Sequence, residues 1–318
     1  MIKYFTLENQ KLINTTKETA ETIWYCVESP TEEEIQQLIH QFKIPTDYIT
    51  SVLDDAENSR AEEFNQEKLT KPALLLLQYP FAKTSPSGYF QVDTYPFSII
   101  VTPKKKLITI TNHEPLFLKK VFSQTFPEND LAINLNIFMQ LLWQITQSYN
   151  TYLTTLLAQC DLLEKQLKVS TENKQLYQIM DIQKSLVFFK EATESNLETL
   201  KLLAENQMVQ DNHALNNHLR DVLIETEQAR TTSRIRLKLV EQMNQTFSAI
   251  ISNNLNNIMK ILTSLTIILT IPTIVGSLYG MNIKLPIAGR DDAFLWLILF
   301  MIFISIITTY YLKKGKFL

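Results

Sequence analysis

Thr263, Thr266, Thr270, Thr273 and Ser277 recur at steps of three and four within residues 256–282, NNIMKILTSLTIILTIPTIVGSLYGMN. That spacing lines the hydroxyls along one face of a helix. Carried backwards, the same phase meets Leu262, Met259 and Asn256. A row of neutral oxygens accepts hydrogen bonds from the waters around a hard cation without gripping the ion as carboxylates would. No Asp or Glu stands between Glu241 and Asp291, so an anionic filter that strips the ion is not expected. Two readings of the stripe stay open. It lines a water-filled pore, or its hydroxyls bond back to their own carbonyls and hold helices together. Met259 and Leu262, at the inner mouth, read either as an apolar gate that excludes water or as interhelical packing.

The elements that must position this face follow from length and charge. A spanning helix needs about 20 mainly apolar residues. Residues 261–281 meet that, and so does the greasier run 293–312, with Trp296, Tyr310 and Tyr311 near its ends. Arg230, Arg234, Arg236, Lys238 and Lys260 precede the first span, and Lys313, Lys314 and Lys316 follow the second. This bias places both termini in the cytoplasm and the loop 282–292 outside. Residues 1–20 carry no apolar core of signal-peptide type, which agrees. Two spans cannot enclose a pore, so a pore-lining first span requires several copies in a closed ring.

From Glu128 to Ile271 the chain has neither proline nor glycine, which predicts long helices. Breaks are expected near Ser170–Asn173 and Glu205–Asn212, leaving two antiparallel helices and a third from about His213 to Leu278. At 1.5 Å per residue that third helix is about 100 Å long, so most of it is a stalk outside the bilayer. Residues 1–130 read instead as an α/β domain. Thr22–Glu28, Ala73–Tyr79, Tyr95–Thr102 and Lys106–Thr111 are strand candidates, the last two a hairpin around Pro103-Lys104-Lys105. Ser29 or Thr31 caps a helix opened by Glu32-Glu33-Glu34, and a second helix is expected from Thr46 to about Asn58. The divisions are therefore 1–130 cytoplasmic α/β domain, 131–260 helical region and stalk, 261–281 first span, 282–292 outer loop, 293–312 second span and 313–318 basic tail.

No phosphate-binding loop or nucleophile–base pair is present, and the histidines at 40, 113, 213 and 218 are scattered. An enzyme is not expected, nor any cofactor beyond transported and regulatory divalent cations. A net charge of −3 argues against nucleic acid as a partner. Cys26 and Cys160 lie far apart in sequence and read as buried structural thiols.

Tyr279-Gly280-Met281-Asn282, at the end of the first of two C-terminal spans, resembles the YGMN signature of the CorA family of divalent metal-ion transporters. Asn253, Asn256, Met259-Lys260, Leu262-Thr263 and Pro272 extend the likeness upstream. The resemblance implies a funnel-shaped homopentamer, an α+β membrane protein with an α/β cytoplasmic domain, a helical stalk and two C-terminal spanning helices. It implies that Gly280, Met281 and Asn282 form the outer selectivity filter, with Tyr279 packing behind it. It implies channel-like uptake of hydrated magnesium, with cobalt, nickel or manganese also passing, gated by cytoplasmic metal. Arg220-Asp221-Val222 resembles a family segment whose aspartate helps bind a regulatory ion between subunits, with Asp54 or Asp55 of DDAENSRAEEF as partners here. A surface ion pair for Asp221, and an ordinary solvated loop with Arg60 as pairing partner for 54–64, stay open. The family's acidic residue after the signature is missing, with Ile283-Lys284-Leu285 in its place. A zinc transporter of the related ZntB type is the nearer rival. A membrane-anchored coiled-coil scaffold is the farther one, and it gives no reason to keep a polar stripe in phase over several turns.

Overall fold

A computed structural model of the chain describes residues 1–64, 69–127, 131–167, 173–281 and 292–315. It divides into two compact units, Met1–Asn244 and Gln245–Leu318. The expected division at residue 130 falls inside the first unit, between a sheet and the helices that cover it.

Among the described residues the sheet has seven strands, in the order β2-β1-β3-β7-β6-β5-β4. These are β1 (Ile2–Glu8), β2 (Lys11–Thr15), β3 (Trp24–Glu28), β4 (Arg60–Glu62), β5 (Ala73–Thr84), β6 (Phe90–Val101) and β7 (Leu107–Thr111). Only β3 and β7 pair in parallel, Trp24 opposite Leu107; the other neighbours are antiparallel. Leu74–Leu77 are all buried because both faces of the sheet are covered. Leu74 and Leu76 pack with α1 (Glu32–Phe42) and α2 (Thr46–Thr50). Leu75 and Leu77 join the larger core under α4 (Ile133–Leu167) and α5 (Asn173–Ala204).

Pro80 lies inside β5, which runs past the expected end at Tyr79, and Pro96 lies inside β6. Pro80 pairs with Thr94 and Pro96 with Gln78. Both positions lie beyond the reach of the outer neighbours, since β4 stops at the level of Leu76 and β7 at Phe97. A missing N–H is tolerated where a strand has lost its second partner. At that same level the buried Asn196 of α5 takes over the edge of β5. Its side chain accepts from Gln78 N and donates to Gln78 O, each at 2.8 Å.

Thr31, not Ser29, caps α1, with Glu34 closing a capping box. The helix expected from Thr46 to Asn58 ends early. It stops at Thr50, a 3-10 turn covers Ser51–Leu53, and Asp54 is already extended. The Asp54 carboxylate accepts from Ala56 N at 3.0 Å, so it competes with the helix for the backbone. A short α3 (Phe117–Phe122) joins the sheet to the long helices.

The break expected at 205–212 is present. α5 ends at Ala204, α6 (Gln207–Gln210) makes one turn, and Asn212 caps the next helix by accepting from Leu215 N at 3.0 Å. That helix, α7 (His213–Tyr279), is 67 residues long and continuous through Pro272. The second unit holds the rest of α7 and α8 (Ala293–Lys314). Both are long and apolar enough to cross a membrane, and almost nothing covers them within the chain.

Candidate ion-conduction surface

Within the second unit the hydroxyl stripe is an exposed face. Asn256, Met259, Leu262, Thr263, Thr266, Thr270, Thr273 and Ser277 all have exposed side chains. The covered positions of α7 are others: Ser264 is buried, and Ile268, Ile271, Pro272 and Val275 are half-buried. Pro272 shares the wall of a groove with α8 residues, which puts α8 on that side. At about 100° per residue the hydroxyl stripe lies roughly opposite the covered one. The stripe therefore points away from the chain's own second span.

Each threonine in the stripe is tied to the turn before it. Thr263 Oγ1 donates to Met259 O at 2.8 Å and Thr266 Oγ1 to Leu262 O at 2.9 Å. Thr270 donates to Thr266 O at 2.7 Å and Thr273 to Leu269 O at 2.8 Å. A carbonyl only accepts, so in every case the hydroxyl supplies the proton. Back-bonding, one of the two readings of the stripe, is thus present. It does not remove the other. With the proton turned inward, each oxygen keeps lone pairs for a second partner, and the face becomes a ladder of acceptors.

At the signature, Gly280 N donates to Gly276 O at 3.0 Å, continuing the helical pattern, and Met281 N to Leu278 O at 3.3 Å. Gly280 does not use the left-handed region open to glycine. A Cβ there would stand 3.4 Å from Gly276 O, an ordinary contact. Nothing among the described residues of the chain itself demands glycine at this position. Tyr279 and Met281 are exposed. Asn282, the loop through residue 291, and Lys316 lie outside the described residues.

The regulatory candidates all lie in the first unit. Arg60 engages Glu57, Glu62 Oε1 at 2.7 Å and Ser51 Oγ at 2.8 Å, which takes two of the five acids of 54–64 out of contention. Asp55 Oδ1 meets His113 Nε2 at 3.1 Å, and that imidazole stacks on Tyr95 with ring centres 3.9 Å apart. Nothing in sequence spacing points to this partner for Asp55, 58 residues away. Asp221 lines a cleft of about 220 Å³ with His218 of α7 and Gln140 and Trp143 of α4. The three-residue step from His218 to Asp221 was the available signal for that neighbour. Among the described residues, no group of three or more His, Cys, Asp or Glu is arranged to hold a metal. Cys26 and Cys160 are both free and buried; burial pushes the Cys26 thiol up to about 12 and that of Cys160 to about 11.

Residues 19–314 match the family model described as CorA-like Mg2+ transporter protein. The chain is 24% identical over 308 residues to the cobalt/magnesium transport protein CorA of Methanocaldococcus jannaschii, covering 96% of this chain and 94% of that one. The complete structure of the CorA magnesium transporter from the same organism matches with a TM-score of 0.81 at 21% identity, over 100% of this chain and 99% of that one. The ZntB cytoplasmic domain of Vibrio parahaemolyticus matches with a TM-score of 0.58 at 15% identity, over 79% and 96%. At these identities the two structures are evidence of shared fold. The family model reaches from the third strand of the sheet to the end of the second span, and the chain belongs to the CorA-like Mg2+ transporter protein family.

Proposed function

We propose that five copies of this chain form a ring whose first spans surround a pathway for hydrated divalent cations, magnesium foremost. Family membership makes the chain a membrane transporter of divalent cations; the pathway, the ring and the choice of ion are our reading. The observation that carries it is the acceptor ladder on Thr263, Thr266, Thr270 and Thr273, exposed and turned away from α8. Water bound to magnesium points its hydrogens outward and is shed reluctantly. A wall of oxygens that only accept suits that hydrated ion better than a hydrated anion, whose waters spend one of their two hydrogens on the ion. The absence of Asp and Glu from 242–290 keeps the ion mobile once inside.

In this account Asn282 forms the outer ring of the filter with Gly280 and Met281, and Tyr279 packs behind it. Met259 and Leu262, exposed in the same phase below the hydroxyls, form the inner apolar constriction. Asn256 continues the wall below them. Both termini are cytoplasmic. The driving force needs no chemical step: about 2.3 kcal/mol per charge per 100 mV gives a divalent cation about twice that. Cytoplasmic metal closes the ring by binding between Asp221 of one copy and Asp54 or Asp55 of the next. Magnesium is favoured over zinc because the stripe offers oxygens and no Cys or His.

The test is Asn282→Ala in cells lacking their own transporters, with magnesium and zinc uptake measured separately. Loss of magnesium uptake in an intact oligomer is expected. Wild-type flux in the assembled variant would remove Asn282 from the filter, and uptake of zinc alone would make the chain a zinc transporter.

A further inference from the structure

A groove of about 590 Å³ runs between α7 and α8. Pro272 of α7 and Ile298, Met301, Ile302 and Ile306 of α8 give it an apolar floor, and Tyr310 and Lys313 stand at one end. From Ile298 to Lys313 the helix rises about 22 Å, roughly half of a bilayer measured with its headgroups. Ser305 and Thr309 also line the groove, so one face is mainly apolar over the depth of a leaflet and finishes in an ammonium group.

Among the described residues no carboxylate pairs with Lys313. Residues 242–280 and 293–315 contain no Asp or Glu at all. A neighbouring copy's spans therefore cannot supply one either; the charge its first span carries on this side of the bilayer is another cation, Lys260. A spanning helix laid over the groove would place Lys313 against apolar side chains or a like charge, which costs free energy. An acidic phospholipid satisfies both ends of the groove at once.

We propose that the groove holds one anionic phospholipid, its acyl chain along Ile298–Ile306 and its phosphate at Lys313, with the Tyr310 ring at the headgroup boundary. The proposal rests on α7 and α8 being membrane spans and is independent of the conduction pathway. Lys314 is the neighbouring residue but is not part of the groove wall. The site is therefore distinguishable from general attraction of a basic helix end to acidic lipid.

The full-length protein carrying Trp296→Phe and Tyr310→Trp places one indole at the groove and removes the other from the spans. It is reconstituted in phosphatidylcholine containing brominated phosphatidylglycerol or brominated phosphatidylcholine, whose bromines quench an indole in contact. A preference of about five-fold for the phosphatidylglycerol is expected, the weight of one basic side chain at a membrane surface. Lys313→Gln should abolish the preference, while Lys313→Arg and Lys314→Gln keep it. The arginine variant separates loss of charge from loss of folding, and the oligomer's elution volume checks all variants. Equal quenching by the two lipids overturns the proposal, as does a preference that survives Lys313→Gln or is lost equally in Lys314→Gln. No quenching by either lipid means that another copy covers the groove, which also overturns it.

Discussion

Thr270→Val is the sharpest perturbation of the acceptor ladder. It keeps the shape of the side chain and deletes one oxygen, that oxygen being exposed on the face opposite α8 and bonded only inward, to Thr266 O at 2.7 Å. The helix loses little, because the main-chain bond to the same carbonyl remains. The passing ion loses one acceptor per copy. A net hydrogen bond is worth about 0.5–1.5 kcal/mol, and the low end applies because a displaced water can turn toward Thr266 or Thr273. In the proposed ring of five the barrier at that level rises by about 2.5 kcal/mol, which slows passage by about 70-fold. The assay is potential-driven magnesium entry into liposomes carrying matched amounts of assembled protein. Thr309→Val is the control. It deletes the same atom, donating in the same way to Ser305 O at 2.7 Å, from α8 instead of α7, and its flux should stay within about two-fold of wild type. Wild-type flux in Thr270→Val, or an equal loss in Thr309→Val, would refute the argument from the stripe.

Two further outcomes bear on the assembly and its control. The mass of the detergent-solubilised protein should be that of five chains, and a dimer would reject the ring together with the pathway built on it. Magnesium should protect α7 from protease in the wild type and much less in Asp221→Ala, with transport by the variant less inhibited by internal magnesium. Unchanged protection would remove Asp221 from the sensor.

The long helices were legible because their signal is negative and extends far. With no proline or glycine from 128 to 271, only polar, capping-rich clusters interrupt the chain, and Asn212 caps α7 within one of them. The sheet was half legible. Strands β3, β5, β6 and β7 are apolar enough to stand out, but β5 runs on past Pro80 and β6 begins before the expected Tyr95, because the neighbouring strands stop first and leave room for a proline. The hairpin of β1 and β2 has a weak sequence signal because it is short and carries Lys3, Glu8 and Lys11. Its turn is Asn9-Gln10, both in the left-handed region at φ 48° and 64°, without the glycine that usually marks such a turn. The short α2 shows the limit of a residue-type reading: Asp54 looks like a helix end several residues too early only when its bond to Ala56 N is known. For the stripe, spacing shows the face, but the carbonyl partners of its hydroxyls and the side on which α8 lies appear only in the fold.

That the hydroxyl face meets water while the opposite face does not is the central claim, and substituted cysteines measure it directly. The native thiols are suited to serve as a silent background, since Cys26 is buried with its thiol pushed up to about 12, and Cys160 is buried with its thiol at about 11. Single cysteines at Thr263, Thr266, Thr270 and Thr273, and at Ile268, Ile271 and Val275, are exposed in liposomes to a membrane-impermeant, charged thiol reagent. The account predicts rapid modification and blocked magnesium flux for the threonine set, with the isoleucine and valine set slow and its flux unaffected. Equal reactivity of the two sets, or modification of the threonine positions with flux intact, would contradict it.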